Sequence, residues 1–307
     1  MSIKYGATVS RFFYRFLNKV MRTLPRNFLK ILTNSCQVTK GSNIVTAVSG
    51  GPDSMALLHL MAGVQKQLQL CLTAVWVDHG LRPSETPLEK WVVGDASKRL
   101  GIPFISHQVD AASYAAEQHL SLEHAARDLR YTALRKTARK VRAQGIAAGH
   151  TADDQAEEIL LRLLRGSGGK GISGMRMRSG DLIRPLLGTS KLDLLAWLGE
   201  QKIAYCIDSS NNDLKFLRNR VRHQLLPFIE KHFDTGIKKS LRKTADSLAE
   251  DEQLLAELTA DAEEKVVRES SESNTVEPAK LQILRNPFRN LHAALQRRLV
   301  ERLLWRM

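Results

Sequence analysis

The chain has 307 residues, 43% hydrophobic and 25% charged, a balance that fits a folded globular protein and excludes a disordered or collagen-like one. No apolar run reaches the ~20 residues of a membrane-crossing helix, and Cys36, Cys71 and Cys206 form neither a disulfide framework nor a Cys-x-x-Cys pair. The net charge of +14 points to a polyanionic partner, against the plainer reading of a solvated basic surface. The expectation is a cytoplasmic protein with no membrane partner.

The first 41 residues carry eight Lys and Arg but no Asp or Glu. Two readings fit this leader. It is a basic helix with Phe13, Phe16, Leu17, Val20 and Leu24 as its apolar stripe, or it is an organelle transit peptide. The helix is the favoured reading.

Beyond Gly41, apolar runs alternate with helical spacing. Ile44–Val48, Leu70–Val77, Pro103–Val109 and Gly145–Ala148 read as strands, with helices over Ser54–Gln67, Thr86–Leu100 and Ser121–Arg142 between them. This order predicts an α/β fold, a doubly wound and mainly parallel sheet followed by a smaller helical domain. A further unit follows, with runs Leu182–Leu187 and Ile203–Ile207 flanking a helix over Ser190–Gln201. Gly166–Gly171 reads as a mobile loop, Glu269–Thr275 as a polar linker, and Leu291–Trp305 as a basic amphipathic helix. The expected domains are a basic helical extension over 1–41, a nucleotide-binding catalytic domain over 42–220 and a helical domain over 221–307.

The stretch Ser49-Gly50-Gly51-Pro52-Asp53-Ser54 lies where the first strand turns into a helix. Backbone N–H groups and the helix dipole converge there on an anion, usually phosphate. The glycines allow close approach, and Ser54 is expected to cap the helix. No Gly-Lys-Ser/Thr follows, so this is no Walker loop. Asp53 sits where that loop carries its lysine, and a carboxylate beside polyphosphate calls for Mg²⁺ between them.

Other strand ends collect polar residues. Val77-Asp78-His79 follows the second strand, where a doubly wound fold grips adenosine. His150-Thr151-Ala152-Asp153-Asp154 and Glu157-Glu158 follow the fourth. Thr151 or Asp153 serves as a helix cap, while Asp154, Glu157 and Glu158 share one face, suited to Mg²⁺ and to a cationic substrate group. Glu123, Arg127, Arg130 and Tyr131 share another helix face. Arg218 and Arg222, with Arg165 and Arg184 upstream, supply guanidinium groups suited to phosphate.

Taken in order, these motifs resemble the tRNA(Ile)-lysidine synthases, a family of PP-loop, N-type ATP pyrophosphatases. The matching stretches are Ala47–Ser54, Val77–Arg82, Glu123–Tyr131, Gly149–Glu157, Arg165–Gly168, Arg184–Leu187, Asp208-x-Ser210-Asn211 and Arg218–Arg222. Glu158 departs from the pattern, where a Thr is usual. The chain also ends where many relatives continue, as in short-form members.

The resemblance implies an adenine nucleotide alpha hydrolase-like fold that uses ATP and Mg²⁺. It implies that free L-lysine is joined to cytidine 34 of a tRNA(Ile) with a CAU anticodon. ATP would bind Ser49, Gly50, Gly51, Pro52, Asp53, Ser54, Val77, Asp78 and His79. Asp53, Asp154 and Arg127 would be catalytic, with Asp53 and Asp154 on the metal. Lysine would bind His150, Asp154 and Glu157, and tRNA would bind Arg130, Arg165, Arg184, Arg218 and Arg222. A PP-loop tRNA thiolase and a non-catalytic ATP-binding sensor are the alternatives. The first would use paired or catalytic cysteines, and the second would need no such acids.

Overall fold

The structure, a computed structural model, describes residues 23–82, 84–207, 213–270 and 280–306. Phe13, Phe16, Leu17 and Val20 of the leader, the Asp208–Asn211 motif and residues 271–275 of the polar linker lie outside the described residues. The chain divides into two compact units, one of residues 1–158 and 175–238, the other of 159–174 and 239–307.

The first unit is built on a six-stranded sheet of order β3-β2-β1-β4-β6-β5. The strands are β1 (Asn43–Ala47), β2 (Cys71–Asp78), β3 (Phe104–Gln108), β4 (Gly145–Ala147), β5 (Arg178–Ser179) and β6 (Leu182–Ile183). All pairings are parallel except β5 with β6. β1 is central because both of its faces are buried, with Ile44, Val45 and Thr46 all inside. It pairs with β2 on one side and β4 on the other, so the strand order reverses beside it. Ligand crevices of open α/β sheets form at such a point.

Helices cover both faces. Leu57, Leu58 and Met61 of α1 (Pro52–Leu68) join Leu194 and Leu198 of α5 (Lys191–Glu200) in one core. Leader residues Leu24, Phe28, Leu32 and Cys36, spaced by four, are buried in the same core, so residues 23–35 pack as a helical segment that Cys36 closes. Tyr131 and Leu134 of α3 (Leu122–Lys140) pack with Val45, Val75 and Ile146 on the other face. α2 (Thr86–Leu100) lies between β2 and β3 in the chain, and α4 (Ala152–Leu164) follows β4.

Two strand expectations are corrected. Only Leu182–Ile183 of the Leu182–Leu187 run is extended, because Pro185 cannot donate to a ladder. Ile203–Ile207 forms no strand, since Ile203 N–H closes the end of α5 on Leu198 and Cys206 N–H bonds the Gly50 carbonyl.

The second unit is helical with one addition that the sequence reading lacks, an antiparallel hairpin of β7 (Val267–Ser270) and β8 (Lys280–Ile283). Val266 packs with Leu299 and Leu303 of α6 (Ala293–Leu304). Arg298 Nη2 donates to buried Glu252 at 2.7 Å, and Arg302 pairs with Glu263 at 2.6 Å. The expected mobile loop at Gly166–Gly171 instead enters a short helical turn, Gly169–Ile172. Arg162 holds it by donating to the Gly171 carbonyl at 2.6 Å.

Candidate active site

β1 ends at Ala47, and the chain turns through Gly50 at φ +92°, a conformation open to glycine and strained for other residues. Ser54 does not cap α1 as expected. Gly51 occupies the cap position, and the Ser54 hydroxyl closes the loop instead. It accepts from Ser49 N–H at 3.1 Å and donates to the Gly51 carbonyl at 2.9 Å. Gly149, at the end of β4, touches the back of this loop. A Cβ there would lie 3.0 Å from the Asp53 carbonyl oxygen.

Asp53 sits in the first turn of α1. Its Oδ2 faces Lys191 Nζ at 3.4 Å, while Oδ1 is buried with no hydrogen-bond partner. Burial raises its carboxyl above the usual range, and Lys191 opposes that rise. An orphaned carboxylate oxygen of this kind suits a hard cation such as Mg²⁺.

α4 begins with a reciprocal cap. Asp154 Oδ2 accepts from the Thr151 backbone and hydroxyl, both at 2.8 Å, and Asp154 N–H returns to Thr151 Oγ1 at 3.3 Å. Thr151 is therefore the cap of α4. Asp153 serves another helix, accepting Lys191 N–H at the start of α5 at 2.7 Å.

Asp154, Glu157 and Glu158 form one comb on α4. Arg218 and Arg222, four apart on the helical run 217–232, form the opposing comb. Arg222 donates to Glu157 Oε1 at 2.6 Å, to Glu157 Oε2 at 2.8 Å and to Asp154 Oδ1 at 3.1 Å. Arg218 donates to Glu157 at 3.1 Å and Asp154 at 3.2 Å, and lies 3.9 Å from Glu158. Glu157 is 1% exposed. Despite their burial, the facing acids hold both guanidinium groups charged, and the Arg218 charge leads those that keep Asp154 ionised.

Asp154, Glu157 and Arg222, with Asp53, Thr151, Asp153, Lys191, Leu226 and Lys238, line a cavity of about 80 Å³. That is well under the roughly 300–1,000 Å³ of ordinary small-molecule sites. A larger cavity of about 500 Å³ opens between β2, β3 and α2 beside Asp78 and Lys90. Of the residues singled out from sequence it includes Asp78 alone. Both oxygens of Asp154 already accept hydrogen bonds, whereas Asp53 keeps one carboxylate oxygen without a partner.

Asp78 turns the end of β2 by accepting Gly80 N–H at 2.8 Å. His79 and His150 each bury an Nδ1 without a partner. Burial and the cation Arg130 push His79 down to about 4. Burial, opposed by Asp154 and reinforced by Arg184, Arg130 and Arg127, takes His150 to about 3. Both imidazoles are neutral at pH 7. Arg127 and Arg130 lie over the Tyr131 ring, at 5.1 and 5.4 Å from its centre.

Arg184 is not the surface cation that the sequence suggests. It is 7% exposed and donates to the Arg176 carbonyl at 3.0 Å. Arg165 is exposed and belongs to the second unit. Two residues that sequence reasoning missed, Lys191 and Lys238, complete the first unit's site. Lys238 lies 3.2 Å from Asp153 and 3.4 Å from Glu230. A lysine opening a helix is disfavoured by the dipole, and that signal at Lys191 was available from the sequence.

The PP-loop domain family matches residues 20–229 of this chain. A tRNA(Ile)-lysidine synthase from Chlorobaculum tepidum is 35% identical over 235 residues, which cover 76% of this chain and 71% of its own. The chain belongs to the tRNA(Ile)-lysidine synthase family. Proteins of that name from Geobacter sulfurreducens and Dehalococcoides mccartyi are 34% and 33% identical, over 85% and 92% of this chain. The chain spans 55% and 60% of their respective lengths.

A solved structure, the U34-tRNA thiolase NcsA from Methanococcus maripaludis with its 4Fe-4S cluster, has a similar fold. Its TM-score is 0.62 at 17% identity, covering 76% of this chain and 80% of that one. That likeness concerns the fold alone. Within the tRNA(Ile)-lysidine synthase family, the sheet of this member brings Ser49–Ser54, His79 and His150–Glu157 to the same strand ends, as the ordered motifs implied. Among the described residues no helix is long and apolar enough to cross a membrane.

Proposed function

We propose that this chain joins free L-lysine to cytidine 34 of a CAU-anticodon tRNA(Ile), with ATP and Mg²⁺, in the cytoplasm. The observation that carries this reading is the acid pair Asp154 and Glu157, set beside a loop built for phosphate. A site that only bound ATP would need no second acidic pocket.

The chain's own groups divide the work. Ser49, Gly50, Gly51 and Ser54 receive the ATP phosphates through backbone N–H groups and hydroxyls, Pro52, which has no donor, opens the helix behind them, and Val77, Asp78 and His79 lie toward adenosine. Cytosine O2 attacks the α-phosphorus and pyrophosphate leaves. The lysine ε-amine then attacks C2, sheds a proton, and AMP departs with the oxygen. Mg²⁺, when bound, supplies charge for the departing pyrophosphate, and Asp53 would hold it. Arg127 offers an exposed guanidinium at the strand ends for charge developing on phosphate. Asp154 and Glu157 receive the lysine α-ammonium. His150, at a pKa of about 3, is too weak a base to carry a proton at neutral pH and acts as a hydrogen-bonding wall.

Arg218 and Arg222 give this pocket its logic. They fill it in the free chain, and they are also groups that would hold tRNA phosphates, with Arg130 and Arg165. Phosphates that draw them off the acids free the pocket for lysine. The two substrates then favour each other's binding.

The sulfur-transfer reading gains nothing from the cysteines. Burial pushes the Cys36 thiol up to about 11, Cys71 lies at the opposite end of β2 from the site, and Cys206 is raised by burial and by Glu89. Pyrophosphate release with and without lysine and tRNA tests the proposal. Release should require tRNA, and AMP release should require lysine as well. Pyrophosphate release indifferent to tRNA would count against it.

A further inference from the structure

The sequence places an acid, Asp53, where a Walker loop has its lysine, and the fold returns a lysine to that acid. Lys191, 138 positions away, sets its Nζ 3.4 Å from Asp53 Oδ2. We propose that Lys191 is a catalytic residue of the nucleotide site, binding the β- and γ-phosphates of ATP and then the departing pyrophosphate. This rests on the reading that the chain cleaves ATP between its α- and β-phosphates.

The backbone of Lys191 is fixed while its side chain is free to exchange. Its N–H donates to Asp153 Oδ2 at 2.7 Å, and the preceding Ser190 caps α5 through Asp193 N–H at 3.1 Å. Thr189 accepts Ala152 N–H at 2.9 Å, which ties the start of α5 to the start of α4. The ammonium hangs from this anchor on four carbons, with its side chain 39% exposed. A single contact of 3.4 Å with a partly exposed group is worth little, so an arriving polyphosphate can take it over. The other cations of the cavity are held harder. Arg222 makes three hydrogen bonds of 2.6–3.1 Å to two acids, and Lys238 lies between two carboxylates.

The charges also fit. A PP-loop offers neutral N–H groups and a carboxylate, which repels phosphate unless a cation intervenes. An ammonium beside that carboxylate meets the charge that grows on the leaving pyrophosphate. AMP lacks those phosphates and should ignore Lys191.

The test is equilibrium binding of ATP, AMP and inorganic pyrophosphate to the full chain, without tRNA or lysine. Lys191→Met should weaken ATP and pyrophosphate by roughly tenfold or more, as loss of a charge-assisted hydrogen bond does, and AMP by less than about twofold. Lys191→Arg should recover most of the loss. Because Lys191 also neutralises Asp53, both substitutions are repeated in an Asp53→Asn background, where the loss should persist. A loss that vanishes in that background, or one equal for AMP and pyrophosphate, overturns the proposal. Wild-type protein that binds no ATP would overturn the nucleotide reading itself, and Lys191 with it. Normal ATP binding left unchanged by Lys191→Met overturns the role of Lys191 alone.

Discussion

Arg222 grips Glu157 with a two-pronged contact, Nε to Oε1 at 2.6 Å and Nη2 to Oε2 at 2.8 Å, on a carboxylate that is 1% exposed. Such a pair holds a buried charge ready for a cationic ligand and closes the place that ligand would take. Glu157→Gln should therefore raise the KM for lysine at least tenfold and the KM for ATP by less than threefold. Steady-state kinetics varying each substrate would show the split. Arrested adenylation with an unchanged lysine KM would instead mark Glu157 as part of the nucleotide site.

Lysine affinity should rise about tenfold when tRNA and a non-hydrolysable ATP analogue are present, because phosphates then compete for Arg218 and Arg222. Calorimetric titration of lysine with and without tRNA measures this. In Arg222→Gln the gain should shrink, since half of the arginine plug is already gone. The same variant should lower the slope of log K for tRNA against log salt by roughly one. Equal lysine affinity in both conditions would contradict the exchange.

Gly149→Ala should disturb the phosphate loop from behind. The added methyl would sit 3.0 Å from the Asp53 carbonyl and 3.2 Å from Ser54 N, both backbone atoms that cannot step aside. Overpacking of this sort costs roughly 1–3 kcal/mol. The expected result is a lowered melting temperature with ATP affinity reduced several-fold. Wild-type values of both would show that the loop yields.

Stability should fall between pH 7 and pH 4. His79 titrates at about 4 and His150 at about 3 when folded, against 6.5 for a free imidazole. Below 6.5 the unfolded chain takes up protons that the folded chain refuses, so acid favours unfolding. Thermal melts across this range should show the drop. His79→Gln should flatten it in part, and an unaltered profile in that variant would exclude His79 as a cause.

What the sequence revealed was local. The turn at Gly50–Gly51 and the strand–helix alternation are written in adjacent residues, and both appear where expected. Pairings across long separations were not legible. Asp153 looked like a cap for its own helix, yet it anchors Lys191, because the start of α5 lies beside that of α4. Arg184 carried the residue type of a phosphate ligand, but its burial was set by packing that no motif encodes. Arg218 and Arg222 were legible as cations. Their closure on Asp154 and Glu157 became visible only once the helical run 217–232 lay against α4.

The mass of the anticodon nucleoside decides whether this chain makes lysidine. A CAU-anticodon tRNA(Ile) is incubated with the protein, ATP, Mg²⁺ and lysine, then digested to nucleosides. Cytidine should gain one lysine less one water, and omitting either lysine or ATP should abolish the gain. An unchanged cytidine, or a base in which sulfur has replaced oxygen, would contradict the proposed activity.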